Sequence, residues 1–139
     1  MNDIIVGVDK SATARIACEK ALNLAAAYSE NLHIVWCIPR KSGQMVGSGS
    51  DQWYADPTAE AEAFLDNLRF ELDYDQVTTQ IVHGSPADGL CDEAKRLDAM
   101  VIVVGNRRVQ GVSRVLGSIA NDVLKQAPCD VFIANTTGD

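Results

Sequence analysis

The stretch GNRRVQGVSRVLGS, residues 105–118, contains the residue types in this sequence that are best suited to binding an anion. It holds three glycines, three arginines and two serines, and it follows the apolar run MVIVV directly. Glycines let a ligand approach the backbone closely, and arginines and the free N–H groups at a helix start attract negative charge. The stretch therefore predicts a binding site for phosphate.

The spacing of these residues excludes the commonest phosphate and hydrolase motifs. The glycines match neither GxxxxGK[ST] nor GxGxxG, and Ser113 does not stand in a GxSxG nucleophile elbow. A phospho-receiver domain would need an acceptor aspartate after a later central strand, where this chain has CIPR, VHGS and VVGN. No pair of acids or histidines converges for hydrolysis, so we do not predict an enzyme.

Two places in the sequence remain as candidates for ligand contact. Gly117 and Ser118 open a helix pattern, which leaves unpaired N–H groups, the positive end of the helix dipole and the Ser118 hydroxyl beside the loop. Asp9, after the first strand, would suit a ribose hydroxyl or an adenine amino group. The alternative interpretation is structural, with Gly117–Ser118 and Asp9 each capping a helix. The chemistry alone leaves both interpretations open.

Strand and helix patterns alternate around these residues. Short apolar runs predict strands at residues 4–8, 32–38, 77–83, 99–104 and 130–135. Helical spacing predicts four helices between them, and three of these start with recognisable caps at Ser11, Asp56–Pro57 and Ser85–Pro86. The order βαβαβαβαβ, without an internal repeat, predicts one doubly wound, Rossmann-like α/β domain over residues 1–139, with helices on both faces of a mostly parallel sheet.

Ligands of such sheets bind at the carboxyl ends of the strands, where the strand order reverses. This rule places Val8–Asp9, Cys37–Ile38 and the loop from Gly105 on one rim. Residues 39–55 form a long loop rich in Gly and Ser without clear periodicity, and loops of this length are usually functional or disordered. Side chains in this loop can cover a nucleobase or, equally, pack on a dimer partner; the candidates are Met45, Trp53 and Tyr54.

Composition and charge narrow the class of protein. The chain is 47% hydrophobic and 22% charged, which is typical of an ordinary soluble domain. Its net charge is −7, and residues 51–75 hold eight acids and one base. This balance argues against binding to nucleic acid or to an anionic membrane surface. No apolar run approaches about 18 residues, and the N-terminus is not a signal peptide, so we expect a cytoplasmic protein with free thiols and no membrane span.

The chain resembles the universal stress protein family over nearly its whole length. The resemblance begins with IIVGVDKS and ends with the more specific block VVGNRRVQGVSRVLGSIANDVLKQAPCDVFIANT. It implies a five-stranded parallel sheet of order 3-2-1-4-5 and, in most members, a homodimer paired through the last strand, here Asp130–Asn135. Many members bind ATP through a G-x2-G-x9-G-[ST] loop, whereas others lack that loop and do not bind it.

The resemblance assigns roles to individual residues. Gly105 matches the first motif glycine, and Gly117–Ser118 matches the final pair. Asp9 matches the aspartate that contacts the nucleoside. The position on the adenine side falls at Cys37 or Ile38. The implied nucleotide-binding set is Val8, Asp9, Cys37, Ile38, Gly105, Arg108, Gly117, Ser118 and Ile119.

This sequence departs from the family loop at two points. Arg108 stands at the second motif glycine, and eight residues rather than nine separate it from Gly117. A non-glycine residue in left-handed backbone costs roughly 1–2 kcal/mol, and a guanidinium bonded to phosphate returns roughly 1.5–3 kcal/mol. Arg108 can therefore replace a backbone contact by a side-chain contact. Alternatively, Arg108 occupies the phosphate site and pairs with an acid such as Asp9.

Two hypotheses of function follow. The first is a nucleotide-dependent stress sensor or regulator that binds ATP, ADP or AMP, with or without Mg²⁺ held mainly by the phosphates, and that acts on a regulatory protein partner. Its catalysis would be at most slow ATP hydrolysis or autophosphorylation, with Ser118 near the terminal phosphate. The second is a nucleotide-independent dimeric interaction module in which the glycine loop is only structural.

Overall fold

The computed structural model describes residues 3–9, 12–38, 45–46, 53–54, 57–106 and 116–136. Over these residues the chain forms seven strands and four helices. In chain order they are β1 (Ile4–Val8), α1 (Ala12–Tyr28), β2 (Leu32–Ile38), β3 (Met45–Val46), β4 (Trp53–Tyr54), α2 (Pro57–Glu71), β5 (Val77–His83), α3 (Pro86–Leu97), β6 (Val101–Asn106), α4 (Ser118–Gln126) and β7 (Asp130–Asn135).

Within the described ranges, five strands form one sheet of order β5-β2-β1-β6-β7, and every pair in it is parallel. When the two-residue strands β3 and β4 are left out of the numbering, this is the order 3-2-1-4-5. The doubly wound, Rossmann-like α/β prediction is therefore confirmed, with its five strands and four helices. β5 and β7 are the edges, and the more polar sequence of β5 agrees with an edge position.

The sheet separates two apolar cores because successive side chains of a strand point to opposite faces. On one face, Ile4, Val6 and Ile34 pack with residues of α1 and α2. On the other face, Ile5 and Ile102 pack with residues of α3 and α4. Each of these five side chains is completely buried, and full burial of such a side chain stabilises the fold by about 1.5–3 kcal/mol.

Two predicted segments differ from the structure. The loop predicted over residues 39–55 contains a short antiparallel pair, in which Met45 pairs with Tyr54 and Val46 with Trp53; the other residues of this loop lie outside the described residues. The fourth sheet strand was predicted over residues 99–104, but β6 spans Val101–Asn106, so it begins and ends two residues later. β6 extends to Asn106 because it pairs with β7 along its whole length, from Val101 with Asp130 to Asn106 with Asn135.

The predicted helix caps and apolar faces agree with the structure in part. The predicted cap of α3 is confirmed, since the Ser85 hydroxyl accepts a hydrogen bond from the Asp88 N–H at 3.3 Å. The caps predicted at Ser11 and Asp56 lie outside the described residues. The predicted apolar face of α4 is only partly right, because Ala120 is buried whereas Ile119 is 45% exposed. None of the helices that the structure describes is long and apolar enough for a bilayer crossing.

Candidate functional site

A cleft of about 240 Å³ opens between the carboxyl ends of β1 and β6. These two neighbouring strands are followed by helices on opposite faces, α1 on one and α4 on the other. The chain therefore diverges at this point, and the space between the two departing segments is the binding position typical of doubly wound sheets. The predicted location of the site on this rim thus coincides with a real cavity.

Mostly apolar side chains and backbone line this cleft. From β1, α1 and the residue after β1 come Gly7, Val8, Asp9, Thr13, Ala14 and Ala17. The remaining described lining residues are Val35, Cys37, Pro86, Leu90, Val104, Gly105, Ile119 and Thr136. An apolar cavity with a few polar groups is the usual composition of a small-molecule site. Here the polar groups are the Asp9 carboxylate, the Thr13 and Thr136 hydroxyls and the Cys37 thiol.

Five of the residues predicted from the sequence meet in this cleft, namely Val8, Asp9, Cys37, Gly105 and Ile119. Ile38 is not among the described lining residues and is only 2% exposed, because it points to the opposite face of β2 from Cys37. Gly117 and Ser118 are exposed at the start of α4, next to Ile119, and also do not line the cavity. Arg108, Arg107, Ser113 and Arg114 lie outside the described residues.

Gly105 leaves the space that makes the cleft. A Cβ at this position would lie 2.9 Å from the Thr136 Cγ2 and 3.7 Å from the Ala17 Cβ. Its backbone is extended and paired with β7, and the only described glycine with a positive φ is Gly84. Gly105 is therefore needed for room rather than for backbone freedom.

The start of α4 is held by a residue that the sequence interpretation missed. Gly117 is the N-cap residue and offers no side-chain hydrogen bond of its own. Its N–H donates instead to the Asn106 Oδ1 at 2.8 Å. No acceptor among the described residues is found for the N–H groups of Ser118 and Ile119. The available signal was the position of Asn106, a polar residue at the end of the apolar run MVIVVGN.

Thr136 was also missed. It follows β7, is 3% exposed, and its N–H donates to the Asn106 carbonyl oxygen at 3.1 Å. This bond brings the Thr136 side chain over Gly105 at the edge of the cleft. No local pattern marks this threonine, because its position depends on the pairing of β6 with β7.

The Cys37 thiol contributes to the cleft as a neutral group. Burial, with a smaller contribution from the Glu93 carboxylate, raises its pKa from 9.0 to about 11. The Sγ lies 3.7 Å from the Pro86 carbonyl oxygen, to which it donates a weak hydrogen bond. Because nucleophilic and metal-binding cysteines act as thiolates, Cys37 behaves at neutral pH as a small apolar side chain.

Metal ligands are sparse in this region. In the ranges that the structure describes, no group of three or more His, Cys, Asp or Glu side chains converges as a metal site. Asp9 supplies the one carboxylate among the described lining residues, and it is exposed. A cation at this rim would therefore need most of its oxygen ligands from the ligand itself.

Comparison with known proteins agrees with the fold. The model of the universal stress protein family matches residues 1–135. Universal stress protein Sll1388 of Synechocystis is 26% identical over 94% of this chain and 95% of its own. The solved structure of UspA from Lactobacillus plantarum is 25% identical, with a TM-score of 0.71 over 96% of this chain and 97% of that chain.

A universal stress protein from Archaeoglobus fulgidus, solved in complex with dAMP, has a TM-score of 0.69 at 24% identity and covers 96% of this chain and 97% of its own. This likeness shows a common fold. The family model, however, extends from the first strand to the last residue of β7, across every element that builds the cleft. The chain belongs to the universal stress protein family.

Proposed function

We propose that this protein binds an adenine nucleotide (ATP, ADP or AMP) in the cleft between β1 and β6. The observation that carries the proposal is the placement of this cavity, with Asp9 and the first turn of α4 both at its rim. The nucleoside would occupy the cleft, and the phosphates would extend to Gly105, Arg108, Gly117, Ser118 and Ile119. The A. fulgidus protein solved with dAMP, which shares the fold, supports this class of ligand.

The chemistry of the lining fits the two halves of such a ligand. Val8 and the neutral Cys37 offer apolar surface to a base, and the Asp9 carboxylate can accept hydrogen bonds from ribose hydroxyls. The cavity of about 240 Å³ is below the ~300 Å³ at which small-molecule sites commonly begin, so the phosphates would lie outside it. The N–H groups of Ser118 and Ile119 supply donors there, with the positive end of the α4 dipole.

Among the described lining residues, Asp9 alone could contribute a carboxylate to a magnesium ion bound with ATP. Asp9 can provide one oxygen ligand, and the β- and γ-phosphates with water would provide the rest, as Mg²⁺ commonly requires in nucleotide sites. Its chemistry there would be neutralisation of phosphate charge.

The biological role that we propose is that of a cytoplasmic, nucleotide-dependent stress regulator acting as a homodimer. β7 is a sheet edge that, among the described strands, pairs only with β6, and an edge strand can pair with a second copy. Phe132 on β7 is 38% exposed and would be covered in such a dimer. Sedimentation equilibrium tests this arrangement. The expected mass is twice 15.0 kDa, falling to one copy in Phe132→Lys, and a monomeric wild-type protein would refute it.

Thermal unfolding of nucleotide-free protein, with and without Mg-ATP or AMP, tests nucleotide binding. A ligand at a hundred times its Kd stabilises by about 2.7 kcal/mol, or roughly 5–10 °C for a domain of this size. Asp9→Asn should reduce the ligand-induced shift. Asp122→Asn is the matched control, because it removes the same charge from an exposed position on α4. Absence of a shift with either nucleotide in the wild-type protein would refute the proposal.

One observation favours the second candidate, a nucleotide-independent dimeric interaction module. Gly117 has φ −68° and ψ 161°, a conformation open to any residue, and its N–H is already bonded to Asn106. The loop glycine can therefore serve the fold alone. A dimer that forms equally in the absence of nucleotide, together with no thermal shift from ATP or AMP, would identify this function.

A further inference from the structure

Asn106 joins three elements at the phosphate side of the cleft. It is the last residue of β6, yet it is only 6% exposed. Its carbonyl oxygen accepts from the Thr136 N–H after β7, and its side-chain Oδ1 accepts from the Gly117 N–H before α4. The ends of β6 and β7 and the start of α4 are thus connected through one buried residue.

The orientation of this side chain is determined by chemistry. A backbone N–H can only donate, so the carboxamide oxygen rather than the nitrogen must face Gly117. The 2.8 Å separation is that of a well-formed hydrogen bond. This oxygen accepts from the N–H of the N-cap residue Gly117, a bond that the side chain at the third helical position makes in a capping box.

The bond also determines which N–H groups a ligand can reach. The Gly117 N–H faces the Asn106 side chain, whereas those of Ser118 and Ile119 have no acceptor among the described residues. Ile119 and Thr136 both line the cleft; Thr136 is bonded to Asn106, and Ile119 follows Gly117 by two residues in the first turn of α4. A change in the Asn106 bond would therefore move the donors of α4 relative to the cleft.

We propose that Asn106 is a positioning residue for the phosphate of the bound nucleotide, an inference that rests on the proposed nucleotide function. It holds the first turn of α4 so that the N–H groups of Ser118 and Ile119 face a phosphate attached to a nucleoside in the cleft. It does not itself contact the ligand. Removal of the Asn106 side chain should therefore lower the affinity for ligands that carry phosphate and leave the affinity for a phosphate-free nucleoside nearly unchanged.

Calorimetric titration with AMP and with adenosine tests this role. In Asn106→Ala the affinity for AMP should fall roughly tenfold, the equivalent of about one hydrogen bond, while that for adenosine stays within about twofold. Asn121→Ala is the matched control, since it makes the same change at an exposed position of α4 and should leave both affinities unchanged. Asn106→Ser, whose hydroxyl is too short to reach Gly117, should behave like Asn106→Ala and serves if that variant does not fold.

Amide hydrogen exchange in the nucleotide-free protein provides a second measurement. The Gly117 amide should exchange faster in either Asn106 variant. The Ala127 amide, which bonds at the other end of α4 to the Val123 carbonyl oxygen at 2.8 Å, is the internal reference and should not change. Unchanged exchange at Gly117 would show that the bond does not hold α4 and would overturn the inference.

The titrations separate failure of this inference from failure of the proposed function. If wild-type protein binds neither AMP nor adenosine, the nucleotide function is refuted and the positioning role with it. If wild-type protein binds AMP but the Asn106 variants bind it equally well, only the positioning role is refuted. Equal losses for AMP and adenosine would also refute it, because they would indicate a general structural effect.

Discussion

Gly105→Ala should destabilise the protein through a single steric contact. The new Cβ would lie 2.9 Å from the Thr136 Cγ2, closer than Cβ atoms approach in folded proteins. Thr136 has little freedom to move, because it is 3% exposed and its N–H is bonded to Asn106. The extended backbone of Gly105 suits alanine, so no conformational strain adds to the contact.

The size of the effect follows from two opposing contributions. Insertion of a methyl group into a packed site costs about 1–3 kcal/mol, and replacing glycine by alanine returns about 0.4–1 kcal/mol through the unfolded chain. We expect a net loss of about 1–2 kcal/mol in the free energy of unfolding. Thr136→Ser removes the methyl group that alanine would meet and alone should cost about 0.5–1.5 kcal/mol. In the double variant the alanine Cβ takes the vacated space, so it should be more stable than Thr136→Ser by about the 0.4–1 kcal/mol that alanine returns through the unfolded chain.

Urea unfolding followed by tryptophan fluorescence gives the four free energies of this cycle. The m-values should be equal, since a single methyl group does not alter the surface exposed on unfolding. The result that would refute the reasoning is a Gly105→Ala protein as stable as wild type. Strictly additive losses in the double variant would do the same, because they would show that the two side chains do not meet.

Two further predictions concern pH and helix capping. Burial raises the pKa of Cys18 from 9.0 to about 12, so between these values the unfolded chain has lost a proton that the folded chain keeps. The free energy of unfolding should therefore fall as pH rises above 9. Urea unfolding at pH 7 and pH 10 should show a smaller fall for Cys18→Ala than for the wild-type protein. An equal fall in both proteins would show that Cys18 is not its source. Ser85→Ala should lower the free energy of unfolding by about 0.5–1 kcal/mol, measured by urea unfolding, because it removes the 3.3 Å hydrogen bond from the Asp88 N–H. An unchanged free energy of unfolding would show that this cap contributes nothing.

The sheet could be predicted from the sequence because most of its strands are compact apolar runs, and β5, the more polar one, is still rich in β-branched residues. The bounds of β1, β2, β5 and β7 agree with the prediction. β6 is shifted by two residues from the predicted strand, because its pairing with β7, which the sequence of β6 alone does not reveal, extends to Asn106. The short pair β3–β4 was missed because two-residue strands are below the length at which periodicity can be detected. Ile119 was wrongly assigned to the buried face of α4. It is 45% exposed and lines the cleft, and helical spacing alone does not show where the cleft lies.

The position of the candidate site could be predicted from the sequence, but the hydrogen bonds that join its parts could not. The carboxyl ends of parallel strands meet on one rim whatever their side chains, and this rule located Asp9, Cys37 and Gly105 correctly near one another. The rule does not distinguish Cys37 from Ile38. Their side chains point to opposite faces of the sheet, and the sequence does not show which of the two faces the cleft. The roles of Asn106 and Thr136 depend on bonds between residues far apart in sequence, so local patterns could not reveal them.

The central position of β1 has a consequence for synthesis of the chain. β1 can pair with β2 once residue 38 is available, but its other edge waits for β6, about 100 residues after β1, and closure of so long a loop is slow. Until then, the apolar edge of β1 lacks its partner, and such an edge is prone to aggregation. The cleft needs the same late pairing, so no ligand of this cleft can stabilise the nascent chain during this interval.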